Sequence, residues 1–252
     1  MTEIIGVLNF KGGTAKTTTV VNLAAGLALR GERVLCIDLD AQGSLATCFG
    51  VQHPFSLTDL LLGKAETKDC ITTARENLDL IISNDSLPQA EGELWRMKDD
   101  QAAKWVLREK MRYLRGYDYI ILDHSPSASL VNENGLIYAR KIIVPVAMNY
   151  LALIGTRQVI QTLKKVGKIS NHNSELFLIV PTFFYAWLRK DREVMEILHR
   201  HFADRVAEPI RINVKISEAM GQQQTIYEYA PNSTGAMDYA RLVERVVSDA
   251  KG

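Results

Sequence analysis

The run Asn9-Phe10-Lys11-Gly12-Gly13-Thr14-Ala15-Lys16-Thr17-Thr18 places two lysines around a glycine pair, with two threonines directly after the second lysine. Paired glycines let successive backbone N–H groups turn toward one centre, and an ammonium adds a point positive charge. A threonine hydroxyl is a ligand for a hard divalent cation. Those groups in that order suit a phosphate chain carrying Mg²⁺, the chemistry of a P-loop that binds ATP. On this reading Gly12, Gly13, Thr14, Ala15 and Thr18 surround the phosphates. Lys16 reaches the β- and γ-phosphates, and Thr17 ligates the metal. A glycine-rich turn that holds nothing is the bland alternative, and Lys-Thr-Thr after two glycines argues against it.

Two further segments carry carboxylates where such a site needs them. Ile37-Asp38-Leu39-Asp40-Ala41-Gln42-Gly43-Ser44 ends one apolar run, and Tyr119-Ile120-Ile121-Leu122-Asp123-His124-Ser125-Pro126-Ser127 ends another. An aspartate closing an apolar strand is the Walker B arrangement, in which Asp123 holds Mg²⁺ or a water bound to it. Asp38 and Asp40 fall on the same rim of a parallel sheet as the loop. The chemistry of these two aspartates alone does not rank them. His124 reads as a packing or surface residue and receives no role.

The elements that must position these residues are short apolar runs alternating with longer helical patterns. Residues 4–8, 33–37, 78–82, 119–122, 141–146 and 176–180 read as strands, mostly continuous and β-branched as in parallel strands covered on both faces. Residues 16–30, 100–114 and 189–202 read as helices. The alternation predicts an α/β fold: a doubly wound, mostly parallel sheet flanked by helices, in one domain over residues 1–252.

Composition bounds the rest. Lysine and arginine number 30 against 29 acidic residues, so the net charge of +1 gives no global attraction to nucleic acid. DNA binding therefore requires a local patch. The cysteines Cys36, Cys48 and Cys70 have no C-x-x-C spacing, which argues against a disulfide framework or an iron–sulfur centre. The chain shows no signal peptide and no run near the ~20 apolar residues of a membrane helix. A cytoplasmic protein is expected.

The phosphate loop departs from G-x-x-x-x-G-K-S/T, with Phe10 at the first glycine and Ala15 at the last. With Lys11 ahead of Gly12-Gly13 it resembles the deviant Walker A motif, K-G-G-x-G-K-S/T-S/T, of the ParA/MinD family of ATPases. The resemblance continues in the switch segment at Asp38 and Asp40 (Ala41 for the usual proline) and in Asp123-His124-Ser125-Pro126-Ser127. It extends through Pro145-Val146-Ala147-Met148-Asn149-Tyr150-Leu151-Ala152-Leu153, Asn213-Val214-Lys215-Ile216-Ser217-Glu218-Ala219 and Tyr227-Glu228-Tyr229-Ala230-Pro231-Asn232-Ser233. It implies the deviant P-loop NTPase fold, ATP with Mg²⁺, and a homodimer in the ATP state. Lys11 then acts in trans on the partner's phosphates, as an arginine finger does. Asp40 orients the attacking water, Asp38 lies near the Mg²⁺ shell, and Asn213 contacts adenine. Ala15 in place of glycine costs on the order of 1 kcal/mol if its φ is positive. Otherwise the loop settles with φ negative and a different phosphate fit.

The family's ParA members bind DNA without sequence preference and answer to a ParB-like or adaptor protein that stimulates the ATPase. The resemblance therefore implies a nucleoid-associated partition or positioning ATPase whose cargo is a plasmid, a chromosome or a protein compartment such as a carboxysome. Candidate DNA contacts are Arg189, Lys190, Arg192 and Lys215. Phe183-Phe184-Tyr185-Ala186-Trp187 just before them fills the core, brackets the base, packs at a dimer interface or stacks on nucleic acid, with core packing the leading reading. A MinD-like membrane regulator is the alternative. The tail after Ala236, with Leu242, Val243, Val246 and Val247 on one face, reads instead as a helix docked on the core. A metabolic enzyme of the same fold, such as a dethiobiotin synthetase relative, would not need Lys11.

Overall fold

The apolar runs are strands because their side chains alternate between two cores. In the computed structural model, which describes residues 2–149, 152–170 and 174–250, the strands are β1 (Glu3–Val7), β2 (Val34–Leu39), β3 (Ile71–Arg75), β4 (Leu78–Ile81), β5 (Tyr119–His124), β6 (Lys141–Ala147) and β7 (Glu175–Thr182). Leu35, Ile37 and Leu39 enter one buried cluster while Val34 and Cys36 enter the other. Ile120 and Leu122 divide from Tyr119 and Ile121 in the same way. A period of two with apolar residues on both faces produces the unbroken runs seen in the sequence.

The sheet order is β3-β4-β2-β5-β1-β6-β7. All pairings are parallel except β3 with β4, which is antiparallel. The edge strand β3 was not expected. Ile71-Thr72-Thr73-Ala74-Arg75 is half-buried and mixed in polarity, so it lacks the apolar signature of its neighbours.

Helices cover both faces: α1 (Lys16–Leu29), α2 (Ser44–Phe49), α3 (Leu57–Leu61), α4 (Leu87–Trp95), α5 (Asp100–Lys110), α6 (Leu130–Tyr138), α7 (Ala152–Ser170), α8 (Arg189–Phe202), α9 (Val214–Gly221), α10 (Ile226–Tyr229) and α11 (Thr234–Ala250). Leu242, Val243, Val246 and Val247 of α11 are buried beside α1, as expected of a docked terminal helix. Cys36, Cys48 and Cys70 are buried free thiols. Tyr150 and Leu151 of the segment starting at Pro145 lie outside the described residues.

Register decides where the chemistry sits. Val7 pairs with Asp123 and Asp38 with Asp123, so the carboxyl ends of β1, β2 and β5 lie side by side. In an open α/β sheet that rim is the place for a ligand.

Candidate nucleotide site

The phosphate loop leaves β1 and is braced from three sides. Asn9, wholly buried, donates from Nδ2 to Pro145 O over 2.8 Å, and its Oδ1 accepts the Lys11 backbone N–H at 3.0 Å. Thr14 Oγ1 donates to Lys11 O, and Thr182 Oγ1 at the end of β7 donates to Thr14 O. Gly13 has φ +69°, and a Cβ added at Gly12 or Gly13 would meet no protein atom within 4 Å. The loop is thus uncrowded at its glycine pair where it enters α1, and a glycine-rich turn at a helix start is the place that cradles phosphate.

Ala15 takes φ 66° and ψ 32° at the N-cap of α1. Of the two outcomes open from the sequence, the loop adopts the positive one. The alanine is held in the left-handed region, at the cost of its Cβ.

Lys16 is buried, and its Nζ donates to Lys11 O at 3.3 Å, so the ammonium lies inside the curve of the loop. Lys11 stands elsewhere: it is half-buried at the mouth, with Nζ donating to Asn149 Oδ1 at 3.3 Å. The two lysines thus serve different spaces.

Behind the loop, Thr17 Oγ1 donates to Asp123 Oδ2 over 2.6 Å. Asp123 Oδ1 is buried with no hydrogen-bond partner among the described residues. Burial, opposed by the Thr17 hydrogen bond and the Lys16 charge, pushes the Asp123 carboxyl up to about 7. Burial first, then the Asp123 charge, pushes Asp38 well above the usual carboxylate range. Lys16 is lowered by burial, against the pull of Asp123 and Asp40. A buried acid pair with one orphaned oxygen is short of positive charge, and a divalent cation fits that deficit.

The structure separates the two aspartates that chemistry alone left unranked. Asp38 is wholly buried, and its two oxygens accept Asp40 N at 2.9 Å and Leu45 N at 3.1 Å. It anchors the loop into α2. Asp40 is half-exposed at the end of β2, with Oδ1 accepting Gln42 N at 3.1 Å. Of the pair, it has the freedom to meet a water.

A cavity of about 630 Å³ opens beside the loop between Ala15, Thr18, Phe183, Asn213, Met220 and Tyr239. Asn213 caps α9, accepting from Lys215 N at 2.9 Å and donating to Thr234 Oγ1 at 2.8 Å. Each of its amide atoms retains capacity for a second bond.

A profile described as an AAA domain matches residues 2–176. The chain is 34% identical over 254 residues to the sporulation initiation inhibitor protein Soj of Bacillus subtilis, covering 99% of this chain and 100% of that protein. The chain belongs to the ParA/Soj family. It is accordingly an ATPase. A second Soj, the chromosome-partitioning ATPase of Thermus thermophilus, is 36% identical over 97% of this chain and 95% of its own. Among solved structures, a cobyrinic acid a,c-diamide synthase from Mycobacterium smegmatis with bound ATP analog and magnesium superposes with a TM-score of 0.85 at 29% identity, covering 100% of this chain and 97% of that one.

Set within the ParA/Soj fold, the loop residues, Asp38, Asp40, Asp123 and Asn213 gather on one rim, whereas the expected DNA contacts divide between two helices. Arg189, Lys190 and Arg192 start α8, while Lys215 lies in α9. Arg189 is paired with Glu193 at 2.8 Å, and Lys215 with Glu218 at 2.9 Å. Lys190 Nζ reaches Met148 O at 3.2 Å, which brings the head of α8 next to Asn149 and so to Lys11.

Core packing does not account for the aromatic segment before α8. Phe184 alone of its aromatics packs against the core, while Phe183 and Trp187 are 43% and 72% exposed and the Tyr185 ring lies 4.8 Å from that of Trp187, tilted by 56°. Phe183 takes a left-handed φ of 56° and borders the cavity beside the loop.

Sequence reasoning also missed the grip on the loop after Asp123. His124 is buried, its imidazole lowered to about 4 by burial, and Nδ1 lies 3.1 Å from Asn132 Oδ1. Asn132 Nδ2 donates in turn to Ser125 O and Ser125 Oγ. A lone histidine among apolar residues carries no signal of such a clamp.

Proposed function

We propose that this chain is a partition ATPase that binds ATP with Mg²⁺, pairs with a second copy across the nucleotide, and holds nonspecific DNA in that state. A ParB-like or adaptor protein would return it to the free form by stimulating hydrolysis, and the protein would work in the cytoplasm on the nucleoid. The observation that carries this reading is the placement of the two lysines. Lys16 already occupies the interior of the loop, so Lys11 has no phosphate left to serve on its own side. At the mouth its side chain has one hydrogen-bond partner among the described residues, the neutral Asn149. A lysine kept there by one weak contact suits release toward a second subunit.

In this reading Gly12, Gly13, Thr14, Ala15 and Thr18 present the loop and helix N–H groups to the phosphates, and Lys16 holds the β- and γ-oxygens. Thr17 and Asp123 hold Mg²⁺, with Asp38 fixing the adjoining loop. Bound there, the metal would neutralise charge on the phosphates as the terminal one departs. Asp40 positions the water, and Lys11 of the opposite subunit offsets the charge that develops. Asn213 meets the adenine edge in the adjoining cavity.

Membrane anchoring of the MinD kind would require an apolar helix face at liberty to enter the lipid boundary. The α11 face is committed to the core, and no described helix is long and apolar enough to cross a membrane.

The test is light scattering with ATP, with ADP and without nucleotide, on the wild type and on Lys11→Ala. ATP should move the wild type toward dimer and leave Lys11→Ala closer to monomer. A wild type that stays monomeric in all three conditions, well above the ATP dissociation constant, would remove the sandwich.

A further inference from the structure

At the opposite end of the central strands from the nucleotide rim lies a second cavity, of about 710 Å³. Its floor includes Ile4 and Ile120, neighbours in register on β1 and β5. Ile120 stands three residues before Asp123, so the cavity floor is about 10 Å from the catalytic rim at ~3.3 Å per strand residue. The two sites therefore occupy opposite ends of the same strands.

The lining of this cavity concentrates charge. Arg108, Arg112, Arg115 and Arg140 border it, and Glu109 is the one carboxylate among the described residues that do, a formal balance of +3. The whole chain carries only +1. The arginines come from three places: Arg108 and Arg112 from α5 and the turn after it, Arg115 from the connection into β5, and Arg140 from the joint between α6 and β6. Like charges from separate segments repel, and a chain of near-zero net charge has ample acidic residues to place among them. Here it places one.

The arginines are also partly ordered in advance. The Arg108 guanidinium lies 4.7 Å above the centre of the Trp105 ring. Arg115 Nη1 donates to Arg112 O and to Leu114 O, each at 2.8 Å, which fixes that guanidinium against the turn. Glu109 meets Arg112 at 3.6 Å on the exposed side, a surface pair of little strength. Guanidinium forks match the oxygens of phosphate in pairs, and an arginine fixed beforehand loses less freedom on binding. The volume lies within the ~300–1,000 Å³ typical of small-molecule pockets.

We propose that this arginine-lined cavity is a second anion site, which takes a small metabolite bearing two or more phosphate groups. Phosphate is favoured over an acidic peptide because the cavity has the volume of a single small molecule and its arginines converge on it from three separate segments. A peptide would call for an extended groove or a free sheet edge.

Inorganic tripolyphosphate is the probe, titrated calorimetrically into the full chain while saturating Mg·ADP occupies the phosphate loop. One equivalent should bind, and binding should persist when sodium chloride holds ionic strength constant. Lys16→Ala should leave this event intact, whereas the Arg112→Ala/Arg140→Ala double variant should weaken it by about tenfold or more, since each loses a charge-assisted contact. Both arginines are exposed, and circular dichroism with the unchanged ATP turnover of the double variant would verify its fold. A Trp95→Phe/Trp187→Phe variant leaves Trp105 as the sole tryptophan, and its emission should change on binding. No binding to the wild type would overturn the proposal. So would binding that disappears with Lys16→Ala but not with the arginine pair, or a hexaglutamate peptide that outcompetes tripolyphosphate.

Discussion

Thr17 and Asp123, 106 residues apart in the chain, share a 2.6 Å hydrogen bond in which the hydroxyl donates to a carboxylate whose other oxygen is buried and unpartnered among the described residues. The contact joins the first turn of α1 to the end of β5 and aims an acid at the place a cation would take. Burial holds that acid near 7. A metal ligand must be ionised, so Mg·ATP has to displace a proton there. Calorimetry near pH 7 in buffers of different ionisation enthalpy should register release of part of a proton per Mg·ATP bound. Asp123→Asn should abolish that release and weaken the Mg²⁺ dependence. The same shift sets a sign for the nucleotide-free protein. An acid whose folded value exceeds its unfolded value of 3.8 stabilises at low pH, and that stability is lost as pH rises from about 4 to about 7. Asp38 adds in the same direction. His124, lowered from 6.5 to about 4, has the opposite sign and gains stability as pH rises through that window. In His124→Gln the fall in denaturant midpoint between pH 4 and 7 should therefore be steeper than in the wild type.

Ala15 tests how tightly the loop is shaped. Its φ of 66° is open to glycine at no steric cost, so Ala15→Gly removes strain on the order of 1 kcal/mol. Glycine also loosens the unfolded chain, by about 0.4–1 kcal/mol. The two nearly cancel, and denaturant unfolding should show a change below about 1 kcal/mol. Ala15→Val, a β-branched residue in the left-handed region, should destabilise clearly more. Basal ATP turnover of Ala15→Gly should rise if the methyl group misaligns the phosphates. A fall would show that the site has adapted around it.

Asp40→Ala and Lys16→Ala should separate chemistry from binding. Asp40 is half-exposed beyond the strand end and touches neither Thr17 nor Lys16 through a hydrogen bond, so its loss should spare ATP affinity and lower the turnover number. Lys16 is buried within the loop, and removing it should raise the ATP dissociation constant by tenfold or more, as loss of a charged partner to phosphate does. Wild-type turnover in Asp40→Ala would exclude the water-orienting role.

The parts legible in the sequence were those with their own local signature. β5 announced itself because a run of apolar residues ends in Asp123, and α1 because a glycine pair and Lys-Thr-Thr precede it. β3 did not, because Thr72 and Thr73 look like loop on an edge with only one neighbour. The sign of φ at Ala15 was undecidable from residue type, since it depends on how Asn9 and Thr182 brace the loop from β1 and β7. The rank of Asp38 against Asp40 depended on which strand position is covered, which only register supplies. The exposure of Phe183 and Trp187 went unseen because aromatic content signals a core regardless of which way the rings turn.

The proposed DNA binding is where pairing within the monomer matters most. Arg189 and Lys215 are each engaged by a glutamate, Glu193 and Glu218, in exposed pairs of the kind that contribute little stability. Phosphate oxygens can exchange for those carboxylates at small cost, so the pairing permits binding while keeping the monomer's net field weak. Arg192 and Lys190 share the head of α8 with Arg189, and Lys190 ties it to Met148 beside the Lys11 partner Asn149. Dimerisation across the nucleotide would set two such heads near one another, so affinity for a nonspecific duplex should require ATP. It should ignore sequence and fall with salt at a log–log slope of about −0.9 per phosphate neutralised. Arg189→Glu and Lys215→Glu should each flatten that slope by about 1 and leave ATP affinity unchanged. Glu193→Gln and Glu218→Gln, which release the same cations, should tighten binding at low salt. Fluorescence anisotropy of a labelled duplex across a salt series, with liposomes of anionic lipid in parallel, decides the matter. Retention on liposomes without retention on DNA would assign the protein to the membrane-bound side of its family, and unchanged slopes in all four variants would move the DNA surface away from α8 and α9.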